Sequence, residues 1–159
     1  MKRIISILIE NKPGALARVV GLIQQRGYKI ETLNVGPVFD GSYSRMTVTT
    51  RGSEHDVEQI TKQINKIIDV IKVSDLTEGD HHEYEFIMIK FKQSSKIQKV
   101  LKNLNGKIHE KSKDAMVMSA WGPSSDIEVA IKAIGKVNLL EIARSGSIGL
   151  HEGNKVLKI

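Results

Sequence analysis

Asn11-Lys12-Pro13-Gly14-Ala15-Leu16-Ala17-Arg18-Val19 joins two segments of different periodicity, and its reading decides the fold. Before it stands Ile4-Ile5-Ser6-Ile7-Leu8-Ile9-Glu10, an apolar, β-branched run that reads as a strand. After it, Leu16, Val19, Val20 and Ile23 recur at helical spacing. Pro13 suits the first helical position, where its missing N–H would have had no partner in any case. Gly14 removes the Cβ at the point where a ligand would approach the backbone. The free N–H groups of the first turn and the positive end of the helix dipole then make a small anion site. With the Asn11 amide beside it, such a loop can hold the carboxylate and ammonium of a free amino acid. The same residues also describe a plain capped helix start, and this segment alone does not separate the two readings.

Three further helices follow from periodicity. Val57, Ile60, Ile64, Ile67 and Ile68 share one face, after Ser53 as N-cap and Glu54 and Asp56 in the first turn. Ile97, Val100, Leu101 and Leu104 mark the third helix, and Ile127, Ala130, Ile131 and Ile134 the fourth. Gly27 is the stop signal of the first. Strands are expected over residues 30–38, 44–51, 70–76, 83–91, 107–111, 115–121 and 138–143, with Phe39-Asp40-Gly41-Ser42 as the turn between the second and third. Thr77-Glu78-Gly79-Asp80 reads as a linker. The fold class is therefore α+β, with two βαββαβ ferredoxin-like domains in tandem, residues 1–78 and 79–159. The halves repeat an architecture and not a sequence. Each is expected to leave an open sheet face and exposed edges, which argues for a homodimer. Phe86 and Phe91 are read as core.

Composition narrows the function. The 159 residues contain no cysteine, which excludes disulfides, thiolate metal sites and a cysteine nucleophile and fits a cytoplasmic setting. Met1-Lys2-Arg3 before an apolar run resembles a signal peptide only superficially, because the run stops at Glu10 with no cleavage site after it. No stretch approaches the ~18 continuous apolar residues of a membrane span. The net charge of +6 is concentrated between Lys90 and Lys113, where eight lysines face the single acid Glu110. Lysine without arginine in such a run reads as a solvated surface.

The strand and helix order of the first half, with Glu10-Asn11-Lys12-Pro13-Gly14-Ala15-Leu16 and Arg26-Gly27-Tyr28-Lys29-Ile30, resembles an ACT domain, the small amino-acid-sensing module. More narrowly, the chain resembles the regulatory small subunits of acetolactate synthase. Ser44-Arg45-Met46-Thr47, Val57-Glu58-Gln59-Ile60-Thr61-Lys62-Gln63, Asp69-Val70-Ile71-Lys72-Val73 and Glu141-Ile142-Ala143-Arg144-Ser145-Gly146 are similar to stretches of that family. The resemblance is tight in the first half and loose between Tyr84 and Lys136. It implies a chain that activates a catalytic large subunit and transmits feedback inhibition by valine. That partner would carry thiamine diphosphate, FAD and Mg2+, with no cofactor on this chain. The resemblance also implies an effector site shared between two chains, with Asn11, Gly14 and Ala15 of one facing Lys29 and Ile30 of the other. Lys29 departs from the family's usual Asn, Tyr84 from its usual Arg, and Leu104-Asn105-Gly106 from an aromatic-Arg-Gly stretch.

The residues themselves offer no catalytic constellation. His81 and His82 are adjacent in a strand-like segment and point to opposite faces, which suits a solvated pair better than a metal site. His109-Glu110 has no spaced partner, and Gly146-Ser147-Ile148-Gly149 is too short for a phosphate loop. Aromatic residues make up only 4% of the chain and show no RNA-reading signature, so no nucleic acid partner is expected. The competing reading is an ACT-type amino-acid sensor that regulates a different enzyme or a transcription factor.

Overall fold

The computed structural model describes residues 1–157. Its contacts divide the chain into two compact units, Met1–His82 together with the segment from Ser147 onward, and Glu83–Gly146. The sequence suggests one crossing at 78/79; the chain in fact crosses twice, at 82/83 and again at 146/147.

The first unit is built from β1 (Lys2–Glu10), α1 (Ala15–Gln25), β2 (Ile30–Val38), β3 (Tyr43–Arg51), α2 (Glu54–Ile64) and β4 (Val70–Asp75). Its strands run in the order β2-β3-β1-β4, each neighbour antiparallel. Ile5, Ile7 and Ile9 of β1 join Met46 and Val48 of β3 on one face, as the register Ile5↔Val48 and Ile7↔Met46 requires. Ala15, Val19 and Ile23 of α1 and Val57, Ile60 and Ile64 of α2 close over that layer. Ser53 caps α2 with a reciprocal box to Asp56. The helix ends at Ile64 and not at Ile68. The N–H groups of Lys66 and Ile67 donate to Gln63 O and Ile64 O, which tightens the chain into a turn. Ile67 still packs on the core, while Ile68 is 89% exposed.

The expected open face of this sheet is not open. Ile4, Ser6, Leu8, Thr47 and Thr49 point away from the helices and are buried. Asn34, Thr47, Ser6 and Ser74 form one row across all four strands there. The returning segment, with the short strand Ile148–His151, is fixed by Arg45 Nη2 donating to Gly149 O at 3.0 Å and by Ser74 Oγ against His151 Nε2 at 2.7 Å. Four residues, one of them Gly149, gave no periodicity by which to foresee it.

The second unit comprises β5 (His81–Phe91), α3 (Ser95–Lys102), β6 (Lys107–Lys111), β7 (Met116–Pro123), α4 (Ser124–Ile134) and β8 (Leu139–Arg144), with strand order β6-β7-β5-β8. Ile87, Ile89 and Phe91 meet Met116, Met118 and Ala120 beneath Ile97, Leu101, Ile127 and Ile134. Strand alternation sends Tyr84, Phe86 and Met88 to the other face. Phe91 is core as expected; Phe86 is not, being 44% exposed. Gly106 is required by space, since a Cβ there would lie 2.3 Å from Leu101 O.

Candidate functional site

The β1–α1 loop is fixed by its own backbone. Asn11 N–H donates to Ser42 O and Lys12 N–H to Glu10 O, while the Asn11 side-chain Nδ2 donates to Gly41 O at 2.9 Å. The last bond orients the amide and leaves Oδ1 as its acceptor. Pro13 does not occupy the first helical position. The helix begins at Ala15, with Gly14 as its N-cap in the left-handed conformation, φ 83°. Only glycine adopts that conformation without strain. No side chain caps this end.

Ala15 N–H donates to Lys12 O at 3.2 Å, so it does not stand free as the first-turn reading supposed. Arg18 N–H makes the first intrahelical bond, to Gly14 O at 3.0 Å. Leu16 and Ala17, between them, therefore present N–H groups with no acceptor within the helix. These two amides lie at the positive end of the helix dipole, an arrangement that can accept an anion.

Sequence reasoning passed over Arg18 and Asp69. Arg18 Nε and Nη2 both lie 2.6 Å from Asp69 Oδ2, and its Nη1 sits 3.0 Å from where a Gly14 Cβ would be. A second positive group thus overhangs the loop. Asp69 is nearly buried and its carbonyl also accepts Glu10 N–H, so the anchor belongs to the sheet edge. The i+4 spacing of Arg18 from Gly14 was the available signal. Lys12 pairs with Glu10 instead, and that hydrogen bond and charge push the Lys12 pKa up.

Lys29 and Ile30 stand elsewhere. Lys29 is exposed and its carbonyl accepts the Thr50 hydroxyl at 2.7 Å; Ile30, half-buried, opens β2. They follow the C-terminus of α1, whereas Asn11 and Gly14 precede its N-terminus. Eleven helical residues span ~16 Å. One chain does not bring the two groups together.

Other chemistry is sparse. Among the described residues there is no group of three His, Asp or Glu able to hold a metal, and no helix is long and apolar enough to cross a membrane. His81 Nδ1 lies 3.1 Å from Gly79 O at an exposed position, and His109 Nε2 lies 2.7 Å from Ser119 Oγ. In the second unit Arg144 is bidentate to the buried Glu85, at 2.6 and 2.9 Å, and reaches Glu128 at 2.6 Å. These bonds push the Arg144 pKa up, chiefly through Glu85.

Residues 5–72 match the acetohydroxyacid synthase small-subunit-like ACT domain, and residues 84–153 match the domain described as the small subunit of acetolactate synthase. The acetolactate synthase isozyme 3 small subunit of Escherichia coli is 39% identical over 163 residues, covering 99% of this chain and all of that one. The chain belongs to the acetolactate synthase small-subunit family. A probable small subunit of Archaeoglobus fulgidus is 36% identical, with 98% of this chain and 99% of that one covered. The crystal structure of the Thermotoga maritima small subunit superimposes with a TM-score of 0.86 at 28% identity, over 98% of this chain and 99% of that one. As a member of this small-subunit family the chain is a regulatory, non-catalytic component, and its first unit is an ACT domain.

Proposed function

We propose that this chain activates a catalytic acetolactate synthase subunit and passes feedback from a free amino acid, valine foremost, to it. The observation that carries the proposal is the β1–α1 loop, where an oriented amide, two unpaired helical N–H groups and a guanidinium converge. An α-amino acid has the matching groups. Its carboxylate suits the Leu16 and Ala17 amides beside Gly14 and Ala15, and its ammonium suits Asn11 Oδ1. Lys29 and Ile30 of a second chain complete the site when two β2 edges pair side by side in a homodimer. The helix length between Gly14 and Lys29 supports this sharing. Sensing and pairing fall to the first unit, and residues 83–146 form the second. The thiamine diphosphate, FAD and Mg2+ chemistry belongs to the catalytic partner, and the setting is cytoplasmic.

Lys29 sharpens the proposal. An amide at this position donates and accepts, but a lysine has three donors, no acceptor and a positive charge that repels the effector's ammonium. Losing a hydrogen bond to a charged group costs about 1.5–3 kcal/mol. That corresponds to roughly ten- to hundred-fold weaker binding. Valine titration of the reconstituted enzyme tests it. Inhibition by the wild type should be weak or absent and should strengthen in Lys29→Asn, with activation unchanged. Low-micromolar inhibition of the wild type would overturn the role given to Lys29. A lack of response in Lys29→Asn as well would overturn the site.

A further inference from the structure

The turn between β2 and β3 carries a residue that the fold itself does not explain. Phe39 is 81% exposed and stands at φ 55°, in the left-handed region. A bulky side chain is strained there, and glycine or asparagine would hold the turn at less cost. Strain of this kind collects at functional sites. The turn is firmly built: Gly41 N–H donates to Val38 O at 3.1 Å, and Ser42 N–H donates to Asp40 Oδ1 at 2.9 Å. It is also joined to the effector loop. Asn11 gives its backbone N–H to Ser42 O and its side-chain Nδ2 to Gly41 O, each at 2.9 Å. Phe39 thus stands on the same turn that orients the Asn11 amide.

Strand β2 is an edge of its sheet. Its Leu33 and Val35, on the helix side by their pairing with Val48 and Met46, are 36% and 42% exposed. The inference rests on the homodimer proposed above, in which two such edges pair. Antiparallel pairing of Ile30–Val38 with its own copy about a twofold axis centres on Asn34 and sets Val38 opposite Ile30 of the second chain. Phe39 of one chain then lies beside Lys29 of the other, at the end of the strand pair where Asn11 also stands. An effector held by its carboxylate and ammonium turns its side chain away from the helix N–H groups and Asn11. The apolar groups placed to receive it are Pro13 and Leu16 of the loop, Ile30 of the second chain, and Phe39.

We infer that Phe39 is a specificity-determining residue of the shared effector site, closing over the effector's side chain and selecting an apolar one. An aromatic ring supplies the largest apolar surface among these groups. A polar side chain loses its water against that ring without gaining a partner.

Calorimetric titration of the full chain with valine and with alanine tests the inference, in the wild type and in Lys29→Asn. Phe39→Asn, added to each, should lower the preference for valine over alanine about tenfold, because two methyl groups lose their apolar wall. Asparagine accepts the left-handed conformation more readily than phenylalanine, so the melting temperature should not fall. Phe39→Leu, which keeps an apolar side chain, should retain most of the preference. An unchanged preference in Phe39→Asn would overturn the inference, and if activation of the catalytic subunit fell at the same time it would assign Phe39 to that partner. A lower melting temperature with equal weakening for both amino acids would overturn it too, by making Phe39 a structural residue. Binding of neither amino acid, in the wild type and in Lys29→Asn alike, would overturn the effector site itself and this inference with it.

Discussion

The two units share one plan and treat the side of the sheet away from the helices in opposite ways. In the first, Ile4 and Leu8 occupy that side and are 2% exposed each, and the returning segment is tied there through Arg45 and Ser74. In the second, the corresponding residues Phe86 and Met88 are 44% and 40% exposed. One βαββαβ arrangement thus supports a sheet buried on both sides and a sheet buried on one. The pattern of residues records the difference. β1 is apolar on consecutive positions, whereas β5 interleaves Glu85, Ile87 and Ile89 with an aromatic and methionine row. The first unit fits a rigid support for an effector loop at its end, and the second a platform with a face to offer.

The largest effect on stability should come from the charged cluster of the second unit, in which one arginine holds two carboxylates. Arg144→Ala leaves Glu85, 2% exposed, without its bidentate partner. An uncompensated buried charge costs about 3–5 kcal/mol. Urea unfolding should show that loss, and a variant within 1 kcal/mol of wild type on the ordinary scale of surface substitutions would show that Glu85 finds other partners. Next comes a direct contrast between the two faces. Leu8→Ala should cost about 2–5 kcal/mol as a buried truncation. Met88→Ala, measured at dilution where the chain is monomeric, should stay within about 0.5 kcal/mol. Equal costs would remove the distinction between the two sheets.

The smallest effect concerns the α2 cap. Ser53→Ala removes the acceptor of Asp56 N–H and should cost about 1 kcal/mol. The Ser53 side chain and backbone also hold the Asp56 pKa below the usual carboxylate value. Asp56 therefore adds stability above its unfolded pKa, and that contribution is lost as pH falls through the folded value. Acid unfolding of the variant should show a correspondingly weaker dependence in this range.

Much of this was legible in the sequence, and the rest was hidden for identifiable reasons. Helical periodicity located all four helices, because each must bury one stripe. Gly27 and Ser53 stand where their chemistry suggested. Phe86 misled because an aromatic in a strand implies burial, while the face it occupies depends on the whole sheet's alternation. Ala15 misled because the Lys12 carbonyl that takes its N–H becomes available only once Gly14 is left-handed. Arg18 was overlooked because its partner Asp69 lies 51 residues away. The segment that lies at the back face of the first sheet could not be foreseen, since the Ile148–His151 strand is four residues long and has no pattern of its own.

Acetolactate formation by the catalytic subunit, measured with and without this chain, tests the regulatory account most directly. The chain alone should form no acetolactate, and its addition should raise the turnover of the catalytic subunit several-fold. Turnover by the isolated chain, or an unchanged rate at every ratio of the two, would contradict it.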